Sequence, residues 1–137
     1  LAKKAEEEDV FICVENVENN FLLSPLEMRR FIDEIGSERV GAYLDVGNVL
    51  ALYQAFPQHW IRILGKRIKK VHLKDYNDRI KSITYLLQGD VNWPEMIKSL
   101  REVGYDDYLT AELPPYRLFP EKFFRELAET IRMIINL

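Results

Sequence analysis

The sequence is poor in cysteine, in long apolar runs and in clustered positive charge. Its single cysteine, Cys13, excludes a disulfide framework and a thiolate metal cage. No apolar stretch approaches the roughly 20 residues that span a bilayer, and no signal-peptide pattern opens the chain. We therefore expect a cytoplasmic protein without a membrane partner. The net charge of -3, with one short basic cluster at 66–70, argues against a nucleic-acid partner.

Strand-like and helix-like segments alternate along the rest of the chain. Four β-rich runs are each followed by a helical pattern, at 10–15, 40–45, 70–74 and 108–112. The first three runs start about 30 residues apart, a period typical of parallel strands joined by crossover helices. We predict an α/β fold of about four β-α units, half the number in a (β/α)8 barrel. The period alone does not separate a barrel from an open doubly wound sheet.

The predicted helices have recognisable ends. Ser24, Pro25 and Glu27 form a capping box, and Gly36 stands where a left-handed C-cap is expected. Asn92 begins another helix in the same way. The remaining end signals are Gly65 after a helix over 57–64, Gly104 after the helix that starts at Asn92, and Pro120 before the last helix. The chain is predicted as one partial domain over 1–137, with residues 1–9 as the tail of a preceding helix.

Polar side chains stand at or near the end of each predicted strand. Glu15, Asp45 and Glu112 each close a run, and His72 lies late in the third. Taken singly, each carboxylate has an ordinary interpretation as a loop cap or surface charge, and His72 as a core histidine. Functional groups gather at the carboxyl ends of parallel strands, and three carboxylates held together need a cation. The pattern favours a divalent metal, Mn2+, Mg2+ or Co2+. Zn2+ is possible but less favoured, because there is only one histidine and no thiolate.

Four motifs, in this order and spacing, carry a family resemblance. They are Val-Glu-Asn-Val at 14–17, Tyr-Leu-Asp-Val-Gly-Asn at 43–48, Val-His-Leu-Lys-Asp at 71–75 and Gly-Asp-Val-Asn-Trp at 89–93. They resemble the C-terminal half of the xylose isomerase-like TIM-barrel superfamily. Within it they look most like the sugar-phosphate isomerase/epimerase branch, which includes tagatose- and xylulose-phosphate 3-epimerases. The resemblance implies that the four strands are strands 5–8 of a (β/α)8 TIM barrel.

The resemblance also implies roles for single residues. Glu15, Asp45, His72 and Glu112 are the implied ligands of one divalent metal ion. Glu15 and Glu112 are also the implied catalytic acid–base pair, one on each face of the sugar.

Three further residues are predicted to bind the substrate. Asn48 occupies a turn in which some family members carry a substrate-binding histidine. Arg79 is the nearest candidate for an arginine that often follows the strand-seven histidine. Lys74 shares a side of its strand with His72, and either reaches a substrate oxygen or pairs with Asp75.

The implied function is a metal-dependent isomerase or epimerase of a sugar or sugar phosphate, working by proton abstraction next to a carbonyl through an enediolate. An inosose-type dehydratase on the same fold and a non-catalytic interaction module are the alternatives. A DNA-repair endonuclease on a related barrel normally needs more histidine ligands and a basic groove, and the sequence offers neither.

Half a barrel leaves two strand edges unpaired. Exposed edges are a liability that proteins usually cover. We expect the chain to form a homo-oligomer by pairing these edges, and we expect that the fragment alone is inactive without the substrate contacts of a preceding half.

Overall fold

Strands and helices alternate along the chain as the sequence predicts. The computed structural model describes residues 1–137. The helices are α1 (Ala2–Glu7), α2 (Pro25–Ile35), α3 (Val46–Ala51), α4 (Pro57–Leu64), α5 (Trp93–Glu102) and α6 (Pro120–Ile135). The strands are β1 (Ile12–Glu15), β2 (Val40–Asp45), β3 (Ile68–Leu73), β4 (Asp75–Asn77), β5 (Ser82–Thr84) and β6 (Leu109–Ala111).

Four of the strands form one parallel sheet in the order β1-β2-β3-β6. Parallel neighbours need crossover connections, and helices supply them here. Asp45 of β2 lies opposite His72 of β3, which in turn lies opposite Thr110 of β6. This register brings the carboxyl ends of the four strands to the same edge of the sheet.

The core fills the space between one face of the sheet and the helices. Alternate strand residues point towards it, since successive side chains of a strand face opposite ways. The fully buried members of this cluster include Leu44 and Leu73 from the sheet, Met28 and Trp60 from α2 and α4, and Met96 from α5. The opposite face of the sheet carries the polar side chains that close the strands.

The predicted helix ends are present. The Ser24 hydroxyl accepts from the Glu27 N–H, the Glu27 carboxylate accepts from the Ser24 N–H, and Gly36 has the left-handed φ of 68°. Asn92 caps α5 by accepting from the N–H of Glu95. These ends are predictable from sequence because each capping residue acts on backbone groups within three or four residues of it.

Two elements were missed by the sequence-based prediction. Helix α3 follows β2 directly, and its six residues are too few to show helical periodicity. The antiparallel hairpin of β4 and β5 lies within the segment left without structure between the third and fourth units. Its three-residue strands are too short to show the alternation of a strand.

Strand boundaries moved slightly from their predicted places. The third strand covers Ile68–Leu73 rather than 70–74, so Lys74 lies just beyond its end. Helix α1 covers Ala2–Glu7, and its continuation from an earlier helix stays a prediction.

None of the helices combines the length and the apolar character that a membrane crossing needs.

Candidate metal centre

The four predicted ligands converge at the carboxyl edge of the sheet. Glu15 and Asp45 are the last residues of β1 and β2, His72 is next to last in β3, and Glu112 follows β6. The backbone N–H of Glu112 donates to the carbonyl of Leu73 at 3.1 Å, which extends the β3–β6 pairing to Glu112. One potential ligand atom from each of the four side chains lies within 4.8 Å of those of the others.

The imidazole of His72 lies at the centre of the group. Its Nδ1 is 2.9 Å from Glu15 Oε1, 3.3 Å from Glu112 Oε2 and 4.0 Å from Asp45 Oδ2. The Tyr43 ring stacks on the imidazole with centroids 3.8 Å apart and planes inclined by 32°. Because Tyr43 precedes Asp45 by two residues on the neighbouring strand, the same face of β2 supplies both a carboxylate and the surface that orients the histidine.

Asp45 is the most rigidly held of the four. It is fully buried, and its backbone N–H and C=O bond to Oδ1 and Nδ2 of Asn16 at 2.8 and 3.0 Å. Its Oδ1 accepts from the N–H of Asn48 at 2.8 Å, which caps α3. Oδ2 has no hydrogen-bond partner. Burial raises the pKa of this carboxyl above its ordinary value, while the Asn48 N–H and the charge of Lys74 act against that shift.

Lys74 supplies a positive charge inside the group. Its Nζ lies 2.9 Å from Glu112 Oε2 and 3.1 Å from Asp45 Oδ2. Both contacts are ion pairs, and Asp45 Oδ2 accepts no hydrogen bond. Burial acts to lower the pKa of Lys74, but the contacts with Glu112 and Asp45 outweigh it and raise the pKa above its ordinary value. The ammonium therefore stays charged at neutral pH.

The residues present fit a divalent cation. The donor set is three carboxylates and one imidazole, and the buried Asp45 Oδ2 points into the group with only the ion pair to Lys74 and no hydrogen bond. Buried acceptors normally receive a hydrogen bond, so this oxygen can take a further ligand. Oxygen-rich donors suit Mn2+ and Mg2+, and the imidazole also admits Co2+ and Zn2+.

The three residues predicted to bind substrate have different surroundings. The Asn48 amide donates to the Asn16 carbonyl at 2.9 Å, and its Oδ1 lies 3.5 Å from Lys74 Nζ, so it belongs to the framework of the site. Arg79 is exposed in the turn between β4 and β5, and its guanidinium makes no hydrogen bond or ion pair with the four ligands. Lys74 is at the site but bonded to carboxylates.

The alternative pairing of Lys74 with Asp75 is wrong. Asp75 is fully buried and accepts from four donors: the N–H groups of Tyr76, Gly89 and Val91 and the indole of Trp93. Its partners lie in β4, in the loop after β5 and at the start of α5, whereas the Lys74 ammonium lies against Asp45 and Glu112. Asp75 anchors the loop that follows β5, and Lys74 faces the four predicted ligands.

Comparison with known proteins identifies the family. Residues 1–134 match the family described as xylose isomerase-like TIM barrel. The chain belongs to this family. The match covers the four ligands and the loops that carry them, so the fold expected from the motifs is confirmed. Among curated proteins, none matches the sequence.

Several solved structures of this barrel fold superpose on nearly the whole chain. D-allulose 3-epimerase from Methylomonas sp. matches with a TM-score of 0.81 and 17% identity, over 97% of this chain and 51% of that one. L-ribulose 3-epimerase matches with a TM-score of 0.81 and 19% identity, over 98% and 50%. The IOLI protein, solved with a bound zinc atom, matches with a TM-score of 0.79 and 20% identity, over 98% and 52%.

The chain thus spans about half the length of the solved xylose isomerase-like barrels that it matches. Its parallel sheet with helices on one face is half a barrel. At these identities the likeness shows the fold alone, and the chemistry has to be argued from the side chains.

Two contributors to the site were not predicted from the sequence. Asn16 holds the backbone of Asp45, and Tyr43 orients His72. For Tyr43 the signal was present, because it precedes Asp45 by two residues and must share its face of the strand. For Asn16 the only signal was a polar residue directly after the strand end.

Proposed function

We propose that the full-length protein is a metal-dependent isomerase or epimerase that acts on a sugar or sugar phosphate. The observation that carries the proposal is the convergence of Glu15, Asp45, His72 and Glu112, with their ligand atoms within 4.8 Å of one another. Supporting it, D-allulose 3-epimerase and L-ribulose 3-epimerase share the fold over nearly the whole chain.

The four side chains divide into two fixed and two accessible groups. Asp45 is fully buried and the His72 side chain is 15% exposed, whereas the Glu15 and Glu112 side chains are 27% and 52% exposed. A ligand that only holds an ion benefits from rigidity, while a carboxylate that carries a proton needs access to the substrate. This division favours Glu15 and Glu112 as the proton carriers.

The two glutamates approach the site from opposite edges of the sheet, β1 and β6. One carboxylate removes the proton from the carbon next to the substrate carbonyl, which leaves an enediolate. The other returns a proton, either to the opposite face of the same carbon in an epimerase or to the neighbouring carbon in an isomerase. A divalent ion, when bound, supplies positive charge that polarises the carbonyl. Acid–base catalysis of this kind typically contributes about 10²–10⁴-fold.

The test follows the carbon-bound proton. The full-length protein is incubated with ketoses, including D-allulose and L-ribulose, in D2O with Mn2+, and deuterium entry at carbon is read by NMR. Wild type is expected to introduce deuterium, and Glu15→Gln and Glu112→Gln are each expected to reduce the rate by at least about 10²-fold. Glu18→Gln, an exposed neighbour of the first strand end, is the control and should exchange normally.

Two outcomes would contradict the proposal. Deuterium exchange that persists in both glutamine variants would show that neither Glu15 nor Glu112 carries the proton. Release of water from inosose, with no exchange on any ketose, would instead assign the dehydratase chemistry. The choice of metal is measured separately, by titrating Mn2+, Mg2+, Co2+ and Zn2+ into the metal-free protein.

A further inference from the structure

The Lys74 ammonium lies among the atoms proposed to bind the metal. Nζ is 2.9 Å from Glu112 Oε2 and 3.1 Å from Asp45 Oδ2. The same two oxygens lie 3.3 and 4.0 Å from His72 Nδ1. An ion that binds both carboxylates has to share these oxygens with the ammonium or displace it.

The fold holds Lys74 in this position from several directions. The residue follows β3 on the same face as His72, and its side chain is 15% exposed. Helix α3 packs closely on it, because a Cβ added at Gly47 would lie 2.4 Å from the Lys74 Cβ and 3.0 Å from its carbonyl carbon. Asn48 Oδ1, at the start of α3, accepts from the Lys74 ammonium at 3.5 Å.

A second lysine, Lys70 within β3, shows that this placement is particular to Lys74. Lys70 shares the face of β3 that carries His72, but its ammonium bonds to both oxygens of Asp107 at 2.7 Å. Four residues of strand separate the two lysines by about 13 Å, so Lys70 lies outside the metal site. The two lysines therefore carry the same charge but pair with different carboxylates.

We propose that Lys74 is an internal counter-ion that competes with the divalent metal for Asp45 and Glu112. The inference rests on the proposed function, because it takes the four-residue group as the metal site. Without metal, the ammonium offsets the repulsion of three carboxylates that the sheet holds together. If a divalent ion binds, Asp45 and Glu112 would hold it and Lys74 would lose both contacts. The lysine thus stabilises the metal-free protein and lowers its affinity for metal.

The experiment compares two matched lysine variants of the full-length protein. Lys74→Met removes the charge and keeps an unbranched side chain, and Lys70→Met does the same outside the site. Mn2+ affinity is measured by calorimetry, and the melting temperature is measured without metal. Lys74→Met is expected to bind Mn2+ at least about tenfold tighter than wild type and to melt lower without metal, because a unit charge a few ångströms away is strongly coupled to the site. Lys70→Met should keep the wild-type affinity within about twofold.

Each outcome decides something different. If wild type binds Mn2+ and Lys74→Met binds it equally or more weakly, the competition is refuted while the metal site stands. If neither protein binds Mn2+, the metal site and the competition both fall. Lys74→Gln is the second variant, should Lys74→Met fail to fold; it also lacks the charge, so it must show the same tightening.

Discussion

Asp45 illustrates how much of the site is decided by single neighbours. Its carboxylate has one oxygen committed to the N–H of Asn48, and its backbone is held on both sides by the buried amide of Asn16. These contacts leave Oδ2 as the oxygen aimed at His72 and Lys74. Asn16 therefore positions a proposed metal ligand without contacting the metal site itself.

Replacing Asn16 with alanine is expected to damage metal binding more than folding. The change leaves a buried N–H and C=O of Asp45 unpaired, which costs about 1–3 kcal/mol in the free energy of unfolding. Outer partners of metal ligands typically contribute about 10–100-fold to metal affinity, and we expect a loss in that range. Urea unfolding and Mn2+ calorimetry measure the two effects.

Asn136→Ala is the control for this prediction, since Asn136 is an exposed asparagine at the end of α6. It should change neither quantity. Wild-type Mn2+ affinity in Asn16→Ala would show that Asp45 keeps its orientation without the amide, and would contradict the positioning role.

The sequence predicted that the four proposed ligands converge. It did not predict the individual contacts of the side chains around them. Glu15, Asp45 and His72 could be placed together because each lies at the end of a parallel strand, and topology brings those ends to one edge. The roles of Asn16 and Lys74 could not be derived in this way. They depend on side-chain direction within a few ångströms, which periodicity does not encode.

At the scale of elements, the sequence predicts features that depend on neighbouring residues and misses elements that depend on tertiary contacts. The capping residues of α2 and α5 act on backbone groups a few residues away, so their motifs predicted the helix ends. Helix α3 and the β4–β5 hairpin depend instead on Asp45, Asp75 and the sheet edge on which they rest. Their own sequences are too short to specify a helix or a strand.

Asp75 is predicted to hold the segment after β5 in place. Its carboxylate accepts from the N–H groups of Tyr76, Gly89 and Val91 and from the indole of Trp93, all within 3.2 Å. Asp75→Ala leaves these buried donors without an acceptor, and we expect a loss of about 3 kcal/mol in the free energy of unfolding. Chemical denaturation followed by Trp fluorescence measures it.

The control for Asp75 is an aspartate with an exposed ion pair. Asp78 bonds to Lys81 at 2.7 Å with more than half of each side chain exposed, so Asp78→Ala should cost under about 1 kcal/mol. Equal losses in the two variants would show that the loop does not depend on the buried carboxylate.

At the scale of the whole molecule, the proposed metal site does not depend on a closed barrel. The four proposed ligands come from four adjacent strands of one sheet, and no residue outside this chain is needed to bring them together. Strands β1 and β6 form the edges of that sheet, however, and the chain spans about half the length of the barrels it matches. Closing an eight-stranded barrel therefore requires a second set of strands.

In solution, this 137-residue chain is expected to pair its two free strand edges. Unpaired strand edges tend to find partners, and β6 of one copy beside β1 of another would give eight parallel strands about a two-fold axis. We expect light scattering to give twice the chain mass of 16.2 kDa. The N–H of Ile12 donates to the carbonyl of Arg39, the residue before β2, so by alternation that of Cys13 faces the free edge.

Cys13→Pro tests this arrangement because proline removes the edge N–H and leaves the β1–β2 bonds intact. It should yield a monomer whose circular dichroism matches the wild type. Cys13→Ser keeps the N–H and should remain dimeric, which separates the backbone effect from loss of the thiol. A wild-type chain that stays monomeric over a hundredfold range of concentration would contradict the pairing. A dimeric Cys13→Pro would show that association uses another surface, such as the exposed side of α6 at Phe124 and Met133.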